Sequence, residues 1–223
     1  MKAIVLLSGG IDSATCLSIV VNKFDKPDVA AVSIFYGQRH EKELQSARTI
    51  AEYYGVNHYE LDLSPIFEQS YCPLMARSSR RIEHKSYSEQ ITSGGVSTYV
   101  PFRNGLMLST AASFAGSLFE NDSVEIYIGA HADDAAGNAY ADCRKDFIQT
   151  LDAAIKIGTY GKIKLVAPFI GKSKADVIKM GLGLETPYHL TWSCYEGGDK
   201  PCGQCATCID RAKAFELNGV ADP

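Results

Sequence analysis

The sequence predicts an α/β fold, a parallel sheet of five strands with helices on both faces. Short apolar runs rich in β-branched residues alternate with segments whose apolar residues recur every three or four positions. Such an alternation is typical of a parallel sheet covered by helices. The length of 223 residues and the hydrophobic fraction of 46% suit one domain with a sizeable core, or one domain with a small appendage.

The first half of the chain predicts strands and helices in strict alternation. Residues 2–7 (KAIVLL) form an apolar strand that ends in Ser-Gly-Gly. Helices at residues 12–23 and 41–54 carry apolar residues on one face, as helices packed on a sheet do. Strands at residues 28–36 and 58–63 complete the order β-α-β-α-β. In this order the carboxyl ends of the strands meet at one edge, where ligands bind.

The second half resumes the pattern after an interruption. Residues 64–99 are rich in Ser, Arg, Tyr and Gly and show no clear periodicity. A segment of this length is typical of an active-site or subunit-contact loop, with a disordered segment as the alternative. The remaining predicted elements are a helix at 103–119, a strand at 124–129, a helix at 142–157, a strand at 163–167, and helices at 173–180 and 205–217.

Charge and hydropathy exclude several classes of protein. The chain has 22 basic and 26 acidic residues and a formal net charge of −4, which argues against broad binding to nucleic acid. The apolar runs at residues 3–7 and 18–21 are far shorter than the roughly 20 residues of a membrane span. The N-terminal run is also too short for a signal peptide, so we expect a cytoplasmic protein without a membrane partner.

The turn after the first strand, residues 8–13 (SGGIDS), is typical of a phosphate-binding loop. Its glycines allow close approach of a ligand to the backbone, and the following helix presents N–H groups and a positive dipole end. Ser8 and Ser13 add hydroxyl donors, while Asp12 suits a helix N-cap or a ligand of phosphate-bound Mg²⁺. The spacing excludes a Walker A loop, and an ordinary strand-to-helix turn is the simpler alternative.

Four of the seven cysteines cluster near the C-terminus: Cys194, Cys202, Cys205 and Cys208. Four thiolates suit a tetrahedral Zn²⁺ site without an open position, so we expect a structural metal. An iron–sulfur cluster is the competing interpretation, because C-x2-C-x2-C also occurs in ferredoxins. The pattern divides the chain into a core at residues 1–185, which carries the glycine loop, and a zinc-binding segment at residues 186–223.

Motifs along essentially the full length resemble those of one family. The string SGGIDS after a first strand resembles the pyrophosphate-binding loop (PP-loop) of enzymes that cleave ATP between its α- and β-phosphates. Together with the cysteine spacing, the chain resembles the 7-cyano-7-deazaguanine synthase family. The matching segments are SGGIDSATCL at 8–17, FYGQRH at 35–40, YVPFRN at 99–104, DCR at 142–144, APFIGKSKADV at 167–177 and TWSCYEGG…PCGQCATCIDRA at 191–212. The chain departs from the family pattern at Phe102, where many relatives have Gly, and at residues 131–140.

The resemblance implies a Rossmann-like fold of the adenine nucleotide alpha hydrolase type and a ligase that forms carbon–nitrogen bonds. Its substrates are 7-carboxy-7-deazaguanine, ATP with Mg²⁺, and ammonia. Its product, 7-cyano-7-deazaguanine, is a precursor of queuosine and forms through adenylated acid and amide intermediates. The resemblance also implies a homodimer without a stable nucleic-acid partner. Because 223 residues leave no room for a glutaminase domain, we expect ammonia to be taken up free.

The resemblance also assigns roles to single residues. ATP binding falls on Leu7, Ser8, Gly9, Gly10, Ile11, Asp12, Ser13, Ala14, Thr15, Cys16 and Leu17. Catalytic roles fall on Ser8, Asp12, Arg103, Arg144 and Lys174, and the three cations among them are candidates for stabilising charge on pyrophosphate. Substrate binding falls on Arg39, His40, Asp133 and Asp134. A helix cap is an equal alternative for His40, and a Mg²⁺ site or a loop cap for the two aspartates.

Three other functions stay open at the level of sequence. A tRNA thiolation enzyme would need a sulfur-carrying cysteine or cluster and, usually, an RNA-binding appendage. An amide ligase of the NAD synthetase kind would use the same activation of a carboxylate. A nucleotide sensor or a zinc-ribbon nucleic-acid binder would bind without chemistry, and substrate-dependent exchange between ATP and pyrophosphate would exclude it.

Overall fold

Five strands form one parallel sheet at the centre of the molecule. The structure, a computed structural model, describes the backbone of residues 1–223 and every side chain except that of residue 138. The strands are β1 (Lys2–Leu6), β2 (Val29–Phe35), β3 (Asn57–Asp62), β4 (Val124–Tyr127) and β5 (Ile163–Val166). Their order is β3-β2-β1-β4-β5, and every neighbouring pair is parallel. The predicted fold class is confirmed.

The strand order changes direction at β1. This strand pairs with β2 on one side, where Ala3 lies opposite Val29, and with β4 on the other, where Ala3 lies opposite Glu125. The chain therefore builds one half of the sheet before it returns to build the other. A crevice forms outside the carboxyl ends of the strands at such a reversal, and open α/β sheets bind ligands there.

Helices cover both faces of the sheet. The described residues form α1 (Ile11–Val21), α2 (Lys42–Tyr54), α3 (Tyr87–Thr92), α4 (Arg103–Leu118), α5 (Ala132–Ala135), α6 (Lys145–Gly158), α7 (Lys174–Gly183) and α8 (Ala206–Glu216). Helices α1, α2 and α7 pack on one face, and α4 and α6 on the other. Because side chains alternate along a strand, Ile4 packs beneath α4 whereas Val5 packs beneath α1. A membrane-spanning helix would need a longer apolar stretch than any described helix provides.

Residues 64–99 form an ordered insert between β3 and α4. A cluster of buried side chains holds the insert against the end of β2, and its members are Tyr36, Phe67, Cys72, Leu74, Met75 and Val100. Helix α3 begins with a capping box, in which Ser86 and Glu89 bind each other's backbone N–H groups. The sequence pattern does not predict this helix, since six residues are too few to show a helical period.

The C-terminal segment packs on α1 and α7. The Tyr188 hydroxyl forms a 2.8 Å hydrogen bond with the hydroxyl of Thr15 inside the core. The Phe215 ring of α8 meets the Tyr188 ring edge to face, with centroids 5.4 Å apart. The division of the chain at residue 185 stays a prediction, and these buried contacts join the two sides of that boundary.

Replacing Phe215 by alanine is expected to destabilise the whole protein. The Phe215 side chain is 1% exposed, and truncation of a buried phenylalanine costs about 3–5 kcal/mol in the free energy of unfolding. Leu217, which is 67% exposed, supplies the control, since Leu217→Ala should change that free energy by about 0.5 kcal/mol or less. Urea unfolding measures both, and equal effects would contradict the assigned packing.

Candidate active site

A large pocket opens at the carboxyl ends of β1, β2 and β4. The glycine loop, the first turns of α1, α2, α4 and α7, the insert and the C-terminal segment all contribute to it. Its lining includes Ser8, Gly10, Asp12, Ser13, Tyr36, Glu43, Tyr87, Arg103, His131, Asp133, Asp134, Tyr140, Lys174, Trp192, Tyr195 and Asp210. Segments that are distant in the chain therefore meet at the point where the strand order reverses.

The glycine loop requires glycine at its second position. Gly9 has a φ of +88°, and a Cβ atom there would lie 2.1 Å from the carbonyl oxygen of Glu43. The loop thus packs directly on the first turn of α2. The Gly9 carbonyl also accepts a hydrogen bond of 3.0 Å from the backbone N–H of Trp192, which joins the C-terminal segment to the loop.

Hydroxyl and amide donors converge at the start of α1. The Ser8 and Ser13 hydroxyls are 3.1 Å apart, and the Ser13 hydroxyl donates to the Gly10 carbonyl at 3.0 Å. Gly10 provides no side-chain cap, so the first N–H groups of α1 are left for a ligand. These donors and the positive end of the helix dipole form a site for an anion.

A partly buried ion pair joins the start of α1 to the start of α7. The Lys174 ammonium nitrogen lies 2.9 Å from Oδ2 of Asp12. Burial alone would raise the pKa of Asp12, but the charges of Lys174 and then His131 hold that pKa below its ordinary value. Burial lowers the pKa of Lys174, and the attraction of Asp12 and Asp134 outweighs it, so that the pKa is raised. Both partners are therefore charged at neutral pH.

His131 lies between two carboxylates just after β4. Its Nε2 is 3.7 Å from Oδ2 of Asp12 and 3.4 Å from Oδ1 of Asp134. Burial lowers the pKa of this histidine, but the two carboxylates outweigh burial and raise the pKa. The sequence pattern did not assign His131 a role. Its place directly after a strand, at the ligand-binding edge, was the available signal.

The two aspartates of α5 have different partners. Oδ2 of Asp133 accepts a 2.8 Å hydrogen bond from the Lys174 backbone N–H and so caps α7. Asp134 faces His131, and burial raises the pKa of its carboxyl. Asp133 thus has the contact that the capping alternative expects, while Asp134 lies next to the ion pair.

Arg103 and Glu43 lie on the other wall of the pocket. The Arg103 guanidinium lies over the Tyr36 ring, 5.0 Å from its centroid, and donates to the Tyr36 hydroxyl at 3.2 Å. Glu43, from the first turn of α2, lines the same wall. Burial raises the pKa of Glu43 to about 7, although Arg103 lowers it in part. The sequence pattern missed Glu43, because one acid in the first turn of an amphipathic helix resembles a surface residue.

Tyrosines close the pocket from the side of the insert. The Tyr87 hydroxyl of α3 forms a 2.7 Å hydrogen bond with the Tyr195 hydroxyl, and the Tyr87 ring meets the Tyr140 ring edge to face at 5.8 Å. Burial raises the pKa of Tyr87 and of Tyr195 well above the ordinary value, so both stay neutral. The insert thus contributes one wall of the pocket.

The four clustered cysteines converge in space. The sulfur atoms of Cys194, Cys202, Cys205 and Cys208 all lie within 4.8 Å of one another. In a tetrahedral site with Zn–S bonds of about 2.3 Å, sulfur atoms are roughly 3.8 Å apart. The backbone N–H groups of Cys202 and Cys205 each point at a neighbouring sulfur atom, at 3.3 Å. The number, type and spacing of these donors suit a metal ion.

Two predicted substrate residues lie outside the pocket lining that the described residues form. The Arg39 guanidinium donates to the carbonyl oxygens of Ser78 and Arg80, at 3.2 and 2.8 Å, and so holds the insert. The His40 ring packs against Gly197, where an added Cβ would come within 2.4 Å of it. The structure therefore places both residues where they support the walls of the pocket.

Arg144 is the predicted catalytic residue that the structure separates from the others. Its guanidinium binds the carboxylate of Asp146 through two hydrogen bonds, the shorter of 2.7 Å, at the start of α6. The neighbouring residues of the same motif do reach the site, since Asp142 accepts a 2.8 Å hydrogen bond from the Asn104 N–H and Cys143 lines the pocket.

Comparisons with known proteins match this chain over its whole length. A family model described as "Queuosine biosynthesis protein QueC" matches residues 2–219. A 7-cyano-7-deazaguanine synthase of Archaeoglobus fulgidus is 41% identical over 225 residues, which cover 100% of this chain and 89% of that protein. A 7-cyano-7-deazaguanine synthase of Nitratiruptor sp. is 42% identical over 226 residues, which cover 100% of this chain and 97% of that protein.

Among solved structures, an NMN synthetase from Francisella tularensis is similar, with a TM-score of 0.52 at 16% identity. The similarity covers 98% of this chain and 77% of that one, and it supports the fold. The family match and the identities above go further, because they extend over nearly every element that lines the pocket. The chain belongs to the QueC family of queuosine biosynthesis proteins.

Proposed function

We propose that the chain is a ligase that converts 7-carboxy-7-deazaguanine and ammonia to 7-cyano-7-deazaguanine with the use of ATP. The observation that carries the proposal is a match over the full length to relatives named for this product, in a chain whose pocket has an anion-binding loop at one end. The product is a precursor in queuosine biosynthesis, the process named by the matching family.

ATP occupies the glycine loop and the start of α1, residues 7–17. The hydroxyl and amide donors there bind its phosphates, and Lys174 supplies a partly buried positive charge beside them. Oδ1 of Asp12 is buried and accepts no hydrogen bond from the described residues, so it suits a Mg²⁺ ion that the phosphates also hold. Asp134 is the neighbouring carboxylate. The ion supplies positive charge that neutralises the phosphates.

The first activation turns a poor electrophile into a good one. A carboxylate resists attack by ammonia at neutral pH, so the 7-carboxylate first attacks the α-phosphate of ATP. The bond between the α- and β-phosphates breaks, pyrophosphate leaves and an acyl adenylate forms. Ammonia then attacks the acyl carbon, AMP leaves and one proton is released, which gives the amide. Negative charge develops on the leaving pyrophosphate, where Lys174 and the loop donors stabilise it.

The second activation repeats the first on the amide oxygen. This oxygen attacks the α-phosphate of a second ATP molecule, and a second pyrophosphate leaves. Loss of AMP and of the two amide protons then leaves the nitrile. Both activations need positive charge at the same leaving group, so one set of residues at the phosphate end of the pocket serves both. The Ser8 hydroxyl and the Lys174 ammonium bind the leaving group, and Asp12 holds Lys174 in place.

Zn²⁺ is the metal that the four cysteines hold. Four thiolates complete its tetrahedral coordination and leave no position for substrate, so its role is structural. The cysteine cluster packs against Ile82 of the insert and against Tyr195, whose hydroxyl binds Tyr87. The metal therefore supports the aromatic wall of the pocket without taking part in the chemistry.

The proposed reaction is tested by incubating the purified protein with 7-carboxy-7-deazaguanine, ATP, Mg²⁺ and ammonium. Mass spectrometry is expected to show the nitrile, with the amide as an intermediate, and two pyrophosphates per nitrile. Omission of ammonium should stop the reaction at the adenylate. A folded, zinc-loaded protein that forms neither amide nor nitrile would rule out the proposed function.

Replacing Lys174 by glutamine is expected to lower the rate of pyrophosphate release by about 10²–10³-fold, the usual loss when one group that stabilises a transition-state charge is removed. Lys179→Gln, an exposed change on the same helix, is the matched control and should keep the wild-type rate. Circular dichroism confirms folding of both variants. Equal rates in the two would contradict the role of Lys174.

Replacing Cys205 by serine is expected to release zinc and to lower the melting temperature, because a structural metal site contributes to folding. Elemental analysis measures zinc, which should fall well below the one ion per chain of the wild type. Cys72→Ser, which removes a buried thiol of the insert, should leave the zinc content unchanged. Iron in place of zinc, or full zinc retention in Cys205→Ser, would overturn the assignment.

A further inference from the structure

Two opposite charges share a wall of the pocket without forming an ion pair. Glu43 and Arg103 are close enough for the guanidinium to lower the pKa of the carboxyl. Within the described structure, however, the Glu43 carboxyl receives no hydrogen bond, and the Arg103 guanidinium makes one side-chain hydrogen bond, to Tyr36. Most of the five N–H donors of the guanidinium therefore remain available to a ligand.

The charged form of the isolated Glu43 carboxyl is unfavourable in this pocket. Burial raises its pKa from the ordinary 4.5 to about 7, since the charged form loses water without gaining a donor. A ligand that brings N–H donors to this carboxyl would satisfy it. A carboxylate without a partner, beside an arginine with free donors, calls for a ligand edge that has donors at one end and an acceptor at the other.

We propose that Glu43 and Arg103 bind the pyrimidine edge of the 7-deazaguanine ring, with Glu43 accepting from N1–H and the 2-amino group and Arg103 donating to the 6-oxo oxygen. This inference rests on the proposed function, and it names the residues that recognise the substrate. The five-membered ring is fused on the side away from N1–H and the 2-amino group, and its 7-carboxyl lies next to the 6-oxo oxygen. The 7-carboxyl is thereby left free to extend toward the phosphate end of the pocket.

The donor pattern favours the deazaguanine over the adenine of ATP. Guanine presents two adjacent donors, N1–H and the 2-amino group, beside the 6-oxo acceptor, so a carboxylate and a guanidinium match it in order. Adenine presents an acceptor at N1 next to its 6-amino donor, and a carboxylate repels that acceptor. Charge-assisted hydrogen bonds with two donors are among the stronger polar contacts in proteins.

Three of the four other acids of the pocket lining already have partners, and the fourth, Asp210, lies near Lys174 and Asp133. Asp12 is paired with Lys174, Asp133 caps α7, and Asp134 faces His131. These three also lie at the phosphate end, where a base edge would compete with ATP. Among the described residues that line the pocket, Glu43 is the acid whose carboxyl has no hydrogen-bond partner and has a guanidinium nearby.

The test compares two ligands in three proteins by titration calorimetry, with a non-hydrolysable ATP analogue present. The ligands are 7-carboxy-7-deazaguanine and its analogue without the 2-amino group. The wild type should prefer the complete ligand by about 10- to 100-fold, the range for hydrogen bonds to a charged group. Glu43→Gln should reduce this preference to a few-fold and leave the affinity for the ATP analogue unchanged. Glu52→Gln, an exposed change on α2, should behave as the wild type.

The outcomes separate the inference from the proposed function. A wild type that neither binds nor converts 7-carboxy-7-deazaguanine would overturn both. A wild type that converts this substrate, together with a Glu43→Gln variant that keeps the full preference, would overturn the inference alone. Loss of ATP-analogue affinity in Glu43→Gln would assign the carboxyl to the nucleotide and would also overturn the inference.

A stability measurement gives a second readout that does not depend on activity. A carboxyl whose pKa is raised by folding stabilises the protein below its unfolded pKa and loses that contribution as the pH rises through the folded value, here about 7. The groups that face Glu43 are Arg103 from α4, Tyr36 after β2 and Tyr195 from the C-terminal segment. Burial raises the pKa of Tyr36 to about 12 and holds that of Tyr195 well above its ordinary value.

Glu43 is therefore the group that titrates on this wall between pH 5 and 9. Glu43→Gln should melt at a higher temperature than the wild type at pH 8.5 without ligand, and the difference should shrink at pH 5. Saturating 7-carboxy-7-deazaguanine should reverse the order at pH 8.5. If the difference in melting temperature between the variant and the wild type did not change with pH, an isolated carboxyl shielded from water at this position would be contradicted.

Discussion

The partly buried ion pair between Asp12 and Lys174, 2.9 Å long, is the interaction on which the site depends. It joins the first turn of α1, which follows β1, to the first turn of α7, which follows β5, and so connects the two halves of the sheet at the edge where the strand order reverses. A buried charge without a partner is costly, so each residue holds the other in place. The pair leaves Oδ1 of Asp12 and the nearby loop donors directed at one volume.

The insert and the C-terminal segment form the opposite wall as one packed unit. The hydroxyls of Tyr87 and Tyr195 share a 2.7 Å hydrogen bond, and Nε2 of His84 lies 2.9 Å from Oε1 of Glu196. Ile82 of the insert packs against the cysteine cluster. An element without regular periodicity is therefore ordered by contacts with a metal-binding segment more than a hundred residues further along the chain. This arrangement explains how the cysteine cluster, whose sulfur atoms are not part of the pocket lining that the described residues form, bears on the shape of the pocket.

The fold was predictable because its signals are local. Each strand, the glycine turn and the cysteine spacing lie within a few consecutive residues, and the observed strands begin and end within two residues of the prediction. The chemistry of Glu43 and His131 was not predictable from the sequence, since it depends on Arg103 and Asp12 in distant segments. Arg144 shows the reverse case, because its guanidinium binds an acid two residues away and is not part of the pocket lining that the described residues form. Helix α3 escaped prediction because its ordering comes from tertiary packing.

The hydrogen bond from Trp192 to the Gly9 carbonyl has a consequence for biosynthesis on the ribosome. Domains generally begin to fold from the N-terminus while synthesis continues. Here the loop emerges long before Trp192, Tyr195 and Asp210, which complete the pocket. A nascent chain can therefore assemble β1 to β3 early, but its nucleotide site stays unfinished until the cysteine-bearing segment has left the exit tunnel. The cysteine cluster and the complete pocket therefore form at the same late stage.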